Sequence, residues 1–235
     1  MTAAIICFAQ QAQAVTFQEQ ARRLQFIYSF LLDFRPGQAP LVPSGHLFDI
    51  SAEIIPNPQV DNRVGSKNEP VNPPPLVPRF RVRYIATFGL MVGGSYNPPL
   101  EAADFSAEWT AFEAGFRFRI GTVHSELRAF TISADVEGPI TEPASKDSFS
   151  FDNGGIDFRL GYSAEPWIVY AGHGRGKTSS RLTVTSDGSS IDADADYRYW
   201  MAGISWDISP LLFSLEQGRS EDFFHHVILS VSYRL

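Results

Sequence analysis

The sequence predicts an all-β fold, namely an antiparallel up-and-down transmembrane β-barrel of about ten strands, preceded by a short N-terminal helix. Apolar and polar residues alternate along most of the chain, which is the period of a strand with one apolar and one polar face. Hydrophobic residues make up 44% of the chain, yet no run reaches the about 18 apolar residues that a membrane-spanning helix needs. Long and short connections also succeed one another between the alternating segments, as the two ends of such a barrel require.

Composition limits the classes of function that the chain can have. At 235 residues it is long enough for one barrel, and its length does not force a second domain. Aromatic residues make up 13% and charged residues only 19%, a balance typical of barrels in which lipid-facing and lumen-facing side chains alternate. The net charge of −7 argues against a nucleic-acid partner, which would require a basic face.

Residues 1–14 are interpreted as the remnant of a signal peptide. The apolar run Ala3–Ala9 is followed by Ala12, Gln13 and Ala14, an A-x-A cleavage pattern that places the mature start at Val15. No basic residue precedes the run, and we hypothesise that the true start lies upstream. Cys7, the one cysteine, would leave with this peptide, which suits an oxidising compartment. The alternative is a helical or frayed terminus in a cytosolic protein.

Residues 15–45 are predicted to form a helix and a linker. Phe17, Ala21, Leu24, Tyr28 and Leu31 follow helical spacing within Thr16–Phe34, and Arg35, Pro36 and Gly37 end the helix. The proline-containing segment 36–45 is an extended linker. Two placements of the helix are considered: it forms either a periplasmic lid on the barrel mouth or a plug in the lumen. The lid is favoured because bulky apolar residues would fit poorly in a narrow polar lumen.

Residues 46–235 are assigned to the barrel, and its first half contains five strands. The first, 46–55, is followed by a long loop, Pro56–Pro78, whose seven prolines prevent strand pairing. Strands 79–84, 86–96, 105–120 and 123–138 come next. We expect tight reversals near Ile85 and Gly121, a loop at 97–103, and a β-bulge near Phe130, where the alternation changes register.

The second half of the barrel contains the other five strands. They are predicted at 155–163, 167–185, 190–208, 211–218 and 227–235, with longer loops at 139–147, 186–189 and 220–222 and short reversals near 165 and 208. An even number of strands brings both barrel termini to one side. Aromatic residues near strand ends are expected to form interfacial girdles, namely Phe112, Tyr162, Trp167, Trp200, Trp206 and Tyr233.

If the apolar faces contact lipid, the polar faces line the lumen. The predicted lumen-lining residues are Arg81, Arg83, Glu113, Arg117, Arg119, Glu126, Arg128, Asp157, Arg159, Glu216 and Arg234. The favoured interpretation is structural, because about ten strands enclose little more than paired side chains and a few waters. The alternative is a narrow path for a small anion, since arginines outnumber acids in this set.

One group of residues is considered as a candidate catalytic or metal site. His173 and the alternating Asp192, Asp194 and Asp196 lie on adjacent predicted strands, where they could bind a divalent cation or activate water. Their layout is similar to that of the ten-stranded omptin proteases, whose motifs the chain lacks. Solvated rim charges are the favoured explanation, and His225 and His226 are interpreted as a further rim pair. We therefore predict no catalytic residue, no metal and no cofactor, and a protein that is not an enzyme.

The end of the chain carries a family resemblance. Val227–Leu235 alternates to the last residue, with Tyr233 third from the end, and resembles the C-terminal signal of bacterial outer-membrane β-barrel proteins, although Leu235 replaces their usual Phe or Trp. The order of helix, proline-rich linker, long first loop and P-R-F-R-V-R strand also looks like uncharacterised Gram-negative outer-membrane proteins. The resemblance implies an outer-membrane location, contact with outer-membrane lipid, and recognition of Val227–Leu235 by the barrel-assembly machinery.

Three functions follow as hypotheses. The first is a narrow channel or transporter for small solutes. The second is a closed structural or surface-interaction barrel that acts through its extracellular loops, above all Pro56–Pro78. An outer-membrane hydrolase is the third. A soluble β-sandwich is the alternative fold, and it would fold without detergent.

Overall fold

The computed structural model describes residues 17–31, 35, 37–42, 45–56, 76–102, 104–141, 145–220 and 225–235. The expected signal peptide and most of the Pro56–Pro78 loop lie outside these residues. The described elements are α1 (Phe17–Leu31), β1 (Leu47–Pro56), β2 (Leu76–Ile85), β3 (Leu90–Ala102), β4 (Phe105–Ile120), β5 (Val123–Gly138), β6 (Asp147–Ala164), β7 (Trp167–Thr183), β8 (Ser190–Ile208), β9 (Leu211–Ser220) and β10 (His225–Arg234).

The ten strands form a closed antiparallel barrel in which each strand pairs with its neighbours in the sequence. Strands β1 and β10 close it through six residue pairs, from Asp49 opposite Arg234 to Ile54 opposite Leu229. The last residue takes part, because the backbone N–H of Leu235 donates to the carbonyl oxygen of Phe48 at 2.8 Å. A closed barrel leaves no sheet edge unpaired in lipid. The predicted fold class and strand number are confirmed.

The barrel has two unlike ends. At one end the connections are short, at 86–89, 121–122, 165–166 and 209–210, and this is called the short-turn end. Strand β1 begins and strand β10 ends at this end of the barrel. The other end, called the long-loop end, carries the connections 57–75, 103–104, 139–146, 184–189 and 221–224. The alternation of long and short connections thus follows the sequence prediction except between β3 and β4, where residues 103–104 form a connection as short as those of the other end.

The outer surface carries a continuous apolar band, because the outward positions of each strand are apolar in its part nearer the short-turn end. On β4, for example, Phe112, Phe116 and Phe118 are exposed while Glu113 and Arg117 between them are buried. Exposed apolar and buried polar side chains are the inverse of a water-soluble barrel and are typical of one in lipid. Among the described residues, no helix is long and apolar enough to cross a membrane.

The barrel wall is taller on one side. Strands β4–β8 are 16 to 19 residues long, whereas β1, β2, β9 and β10 have 10 residues each. The six to nine additional residues extend β4–β8, here called the tall wall, by roughly 20–30 Å at the long-loop end. Their outward side chains beyond the apolar band are polar, as in Ser133, Asp135 and Glu137 of β5. The tall wall therefore projects past the lipid-facing band.

Two local predictions were wrong. Strand β3 continues through Asn97, Pro98 and Pro99, where a loop was expected. It accommodates the prolines by a register shift against β4 between Asn97 and Leu100, a place where a missing N–H is tolerated. The expected bulge near Phe130 is absent from β5, whose register with β4 and β6 is unbroken. Phe130 points inward because the barrel interior at this height is apolar.

Candidate functional site in the barrel interior

Helix α1 lies inside the long-loop end of the barrel and packs against β6, β7 and β8. Ala21, Leu24, Gln25 and Ser29 are buried, and the Gln25 side-chain amide donates to the carbonyl oxygen of Ile191 at 2.9 Å. Deeper in the barrel, the Asn153 amide donates to the Ser29 carbonyl at 3.4 Å. The N-terminus of the helix therefore lies nearer the long-loop end, and its C-terminus lies deeper in the barrel.

The inner face of the tall wall explains this position. Its inward side chains form one apolar cluster with Ala21 and Leu24, and Phe26 meets Tyr197 edge-on with ring centroids 6.2 Å apart. The strand residues of this cluster are Phe105, Trp109, Ala111, Phe130, Ile132, Ala134, Val136, Phe149, Phe151, Leu182, Ile191, Tyr197, Tyr199 and Met201. The favoured prediction of a lid at the short-turn end was wrong, because the upper lumen is apolar and binds the apolar face of α1.

After α1 the chain continues through the interior toward the short-turn end. The backbone N–H of Ala39 donates to the Ser205 hydroxyl at 3.2 Å, and that of Val42 donates to Nδ1 of His124 at 3.2 Å. The Gln38 amide donates to Asp49 at 3.2 Å and accepts from the Ser232 hydroxyl at 3.2 Å. We call the described residues 17–31, 35 and 37–42 the plug. It traverses the barrel from one end to the other.

Four arginines of the barrel wall donate to backbone carbonyls of the plug. Arg79 and Arg81 donate to the Arg35 carbonyl at 2.5 and 2.7 Å. Arg159 donates to the Gln38 carbonyl at 2.6 Å, and Arg117 donates to that of Leu41 at 2.9 Å. The described plug residues after α1, 35 and 37–42, belong to no helix or strand. The arginine side chains therefore satisfy buried carbonyl groups that regular secondary structure would otherwise pair.

The same arginines belong to a continuous set of ion pairs, here called the charge network. Its members are Glu53, Arg79, Arg81, Arg83, Glu113, Arg117, Glu126, Arg128, Asp157 and Arg159, and each is at most 4% exposed. Glu113 joins three strands, since Arg83 lies 2.8 Å, Arg128 2.9 Å and Arg81 3.6 Å from its carboxylate. Glu126 pairs with both Arg117 and Arg159. Buried charges of this kind are tolerated only when each has a partner.

Strand glycines make room for the network. A Cβ atom on Gly93 of β3 would lie 2.7 Å from Cγ of Arg83 and 2.9 Å from Oε1 of Glu113. The missing side chain thus lets β2 and β4 pair ions across β3. On β7, a Cβ atom on Gly172 would lie 2.6 Å from Cγ of Arg159. Close approach of this sort is a reason for glycine within a strand.

The structure places nine of the eleven predicted lumen residues inside the barrel: Arg81, Arg83, Glu113, Arg117, Glu126, Arg128, Asp157, Arg159 and Glu216. The other two lie at the short-turn end, where strand ends leave the lumen. Arg119 is exposed and donates to the Gly121 carbonyl at 2.7 Å, and Arg234 pairs with Asp207. Both side chains line a cavity at this end of the barrel together with Leu41 and Val42 of the plug.

Sequence reasoning missed several interior residues. Glu53 pairs with Arg79 at 2.5 Å, and neither was among the predicted lumen residues. Arg79 shares its face with Arg81 and Arg83, so strict alternation could have included it. Glu53 shares the inward face of β1 with Asp49 and Ser51, so strict alternation could have included it as well. His226 is buried against Gly218 instead of lying at the rim, because it occupies an inward position of β10.

The residues of the catalytic alternative are not brought together. The His173 ring packs on Trp200, with centroids 4.3 Å apart, and Asp192 pairs with Arg181 at 2.7 Å on the outer surface. Asp194 and Asp196 face outward farther along β8. Within the described ranges, no group of three His, Cys, Asp or Glu residues is spaced to hold a metal ion.

Comparisons with known proteins give structural likeness only. No protein-family model matches the sequence, and no curated protein is detectably similar to it. The translocator domain of the autotransporter NalP from Neisseria meningitidis is 10% identical, with a TM-score of 0.48 over 92% of this chain and 95% of that one. Neisserial surface protein A is 11% identical, with a TM-score of 0.35 over 81% and 95% of the two chains.

A third structure is the toluene transporter TodX from Pseudomonas putida. It is 10% identical, with a TM-score of 0.40 over 87% of this chain and 71% of that one. At such identities the likeness concerns the barrel architecture and not the function. With its closed ring of ten antiparallel strands, its outward apolar band and its single described helix, the chain has the fold of the outer-membrane β-barrels.

Proposed function

We propose that this protein is an outer-membrane barrel whose interior is closed to solutes and which acts as a surface-interaction barrel through its long-loop end. The observation that carries the proposal is the plug, which lies in the barrel interior. Its buried and partly buried hydrogen bonds reach β4, β5, β6 and β8 on one side and β1 and β10 on the other. Of the hypotheses drawn from the sequence, this favours the closed barrel over the open channel.

Sidedness follows from the architecture of such barrels. Their long connections are extracellular and their short turns periplasmic, so we assign the long-loop end to the outside and the short-turn end to the periplasm. The tall wall then stands above the outer surface of the membrane. Its outward polar face and the connections between its strands present the largest part of the described protein to the surroundings of the cell.

A second candidate function is a gated path for small anions. It is favoured by the four wall arginines that donate to plug carbonyls, since withdrawal of the plug would leave these donors facing the lumen. Arginine recognises small oxyanions through its planar set of N–H donors. The two candidates share one structure and differ in whether the plug ever leaves it.

Single-channel recording in planar bilayers tests both candidates. The chain is produced from Val15, which leaves no native cysteine, and is compared with a variant lacking residues 17–42. A third variant, A39C/S205C, tethers the plug to the wall where the Ala39 N–H contacts the Ser205 hydroxyl. Folding of each protein is checked by heat-modifiable gel mobility, and S205C alone serves as the control for the tether.

We expect the chain starting at Val15 to be silent and the deletion variant to conduct. Conductance steps that vanish when the tether is oxidised and return on reduction would favour the gated path instead. Steps that persist with the plug tethered would overturn the closed barrel, since solute would then pass beside an immobile plug.

A further inference from the structure

A group of basic side chains lies on the outside of the barrel, unrelated to the interior. Arg175 and Lys177 of β7, Arg198 of β8 and Arg219 of β9 all occupy outward, exposed positions. On β8, Arg198 follows Trp200 of the apolar band directly. On β7 the outward His173 separates Arg175 from Ala171, and on β9 the outward Gln217 separates Arg219 from Leu215. The four residues therefore mark the height at which the lipid-facing surface ends, on the side of the long-loop end.

The strand register sets two of these charges against each other. Arg175 lies directly opposite Arg198, and Arg219 lies opposite Trp200. Like charges directly opposite on one face of a sheet are unfavourable. Within the described residues none of the four forms an ion pair, whereas the nearby Arg181 is paired with Asp192 at 2.7 Å. Asp196 lies opposite Lys177, and Asp152 and Asp194 lie diagonally from Lys177, one pair farther toward the long-loop end. An anion bridging Arg175 and Arg198 would relieve the repulsion.

A groove runs between these side chains. It has a volume of about 830 Å³, and Arg175, Lys177, Asp196 and Arg198 line it together with Gly154 and Gly155 of β6. Gly154 stands at an outward position opposite Lys177, so no side chain from β6 covers the groove there. The groove is thus open, floored by backbone and predominantly cationic, as suits a branched anionic group such as a phosphate ester.

A second groove adjoins the first on the side of the apolar band. It has a volume of about 580 Å³, and its walls include Phe158, Leu160, Ala171, Trp200 and Ala202, with Arg219 at its border. The His173 ring packs against Trp200, and the Trp200 side chain is 58% exposed. Aromatic side chains with one polar edge prefer this boundary between headgroups and acyl chains. A cationic groove next to an apolar groove matches the two parts of an amphiphile, namely an anionic headgroup and apolar chains.

We propose that the outward face of β6–β9 binds a lipid with a phosphorylated headgroup from the leaflet at the long-loop end. Its phosphate lies between Arg175 and Arg198, with Lys177 and Arg219 on either side, and its acyl chains run down the apolar groove along Phe158 and Leu160. The adjacency of the two grooves favours a lipid over free phosphate, because free phosphate would leave the apolar groove empty.

Native mass spectrometry of the folded chain starting at Val15 tests the proposal. The probes are bisphosphorylated lipid A, the same lipid after removal of its phosphates, and inorganic phosphate as a competitor. The variant R175Q/R198Q removes the opposed pair. The matched control R119Q/R181Q also removes two exposed arginines, one at the short-turn end and one held by Asp192. Heat-modifiable gel mobility establishes that each variant is folded.

We expect bisphosphorylated lipid A to bind the unmodified barrel, and R175Q/R198Q to weaken that binding about tenfold or more, since hydrogen bonds between guanidinium and phosphate are charge-assisted. The control should stay within about twofold of the unmodified barrel. If R175Q/R198Q does not fold, R198Q alone is compared with R181Q.

Three outcomes would overturn the proposal. Equal binding of the lipid without phosphates would show that the cationic groove plays no part. Equal weakening by the control would show that total charge, and not this site, attracts the lipid. Inorganic phosphate that occupies the site as well as the lipid does would remove the lipid as the source of the phosphate.

Discussion

Replacing Glu126 by Gln tests whether the charge network stabilises the barrel. Glu126 is fully buried and pairs with Arg117 and Arg159. After the change, Arg117 still donates a hydrogen bond to the Leu41 carbonyl at 2.9 Å. Arg159 still donates to the Gln38 carbonyl at 2.6 Å and still forms an ion pair with Asp157 at 3.8 Å. The substitution leaves the side-chain volume almost unchanged, so its effect comes from the lost charge.

The expected cost follows from the balance of charges. The network contains six arginines and four acids, so E126Q leaves six cations against three anions in a buried space. Removing one partner of a buried ion pair costs about 3–5 kcal/mol. The acceptors that both arginines retain place the expected loss of unfolding free energy at the lower end, about 3 kcal/mol.

The assay is urea unfolding of the barrel in lipid vesicles, followed by gel mobility without heating. Glu137, which is exposed on the same strand, provides the control, and E137Q should change the free energy of unfolding by less than about 0.5 kcal/mol. In the double variant R117Q/E126Q one excess cation is removed, so a coupling energy of about 1 kcal/mol or more is expected. An E126Q barrel as stable as the E137Q control would refute the argument.

Two further predictions concern the barrel wall. Replacing Gly176 by Ala should lower the midpoint of urea unfolding, because the new Cβ would lie 2.4 Å from Cζ of Tyr197. The control G45A should leave the midpoint unchanged, since a Cβ on Gly45 would have no atom within 4 Å. Equal midpoints for the two variants would contradict this prediction. The seam between β2 and β3 comprises only four residue pairs. Amide hydrogens of β2 should therefore exchange sooner in mass-spectrometric hydrogen exchange than those of β6, and slower exchange in β2 would show that the seam is held by other contacts.

The outer face of the barrel could be predicted from the sequence because lipid imposes one rule on it. Every outward position in the apolar band meets the same solvent, so Phe112, Phe116 and Phe118 alternate with polar residues regardless of their neighbours. Strand number follows from counting such segments. Strand ends do not, since Arg119 and Arg234 continue the alternation to the mouth of the barrel, where the local pattern does not change.

The interior obeys no such rule, and there the sequence was less informative. Phe130 and Ile132 point inward and are apolar because they belong to the apolar cluster that contacts α1. To a reader of the sequence who does not know where the helix lies, the same residues indicate a change of register and therefore a bulge, which the unbroken strand pairing does not show. The contact that locates α1 joins Gln25 to Ile191, 166 residues away. Local periodicity contains no information about pairings at such a distance. The charge network was easier to predict because its members lie on neighbouring strands.

The plug also constrains how the barrel assembles. Residues 37–42 lie inside a ring that is closed by β1 and β10, and β10 is the last strand in chain order. Once the β1–β10 seam has formed, α1 with its side chains would have to pass the charge network at the level of Glu113 and Glu126. Ion pairs bridge β1, β2, β4, β5 and β6 there and narrow the lumen. Entry of the plug before the β1–β10 seam closes avoids that obstruction. In that order, the wall arginines replace their water ligands by plug carbonyls at the same time as the arginines become buried.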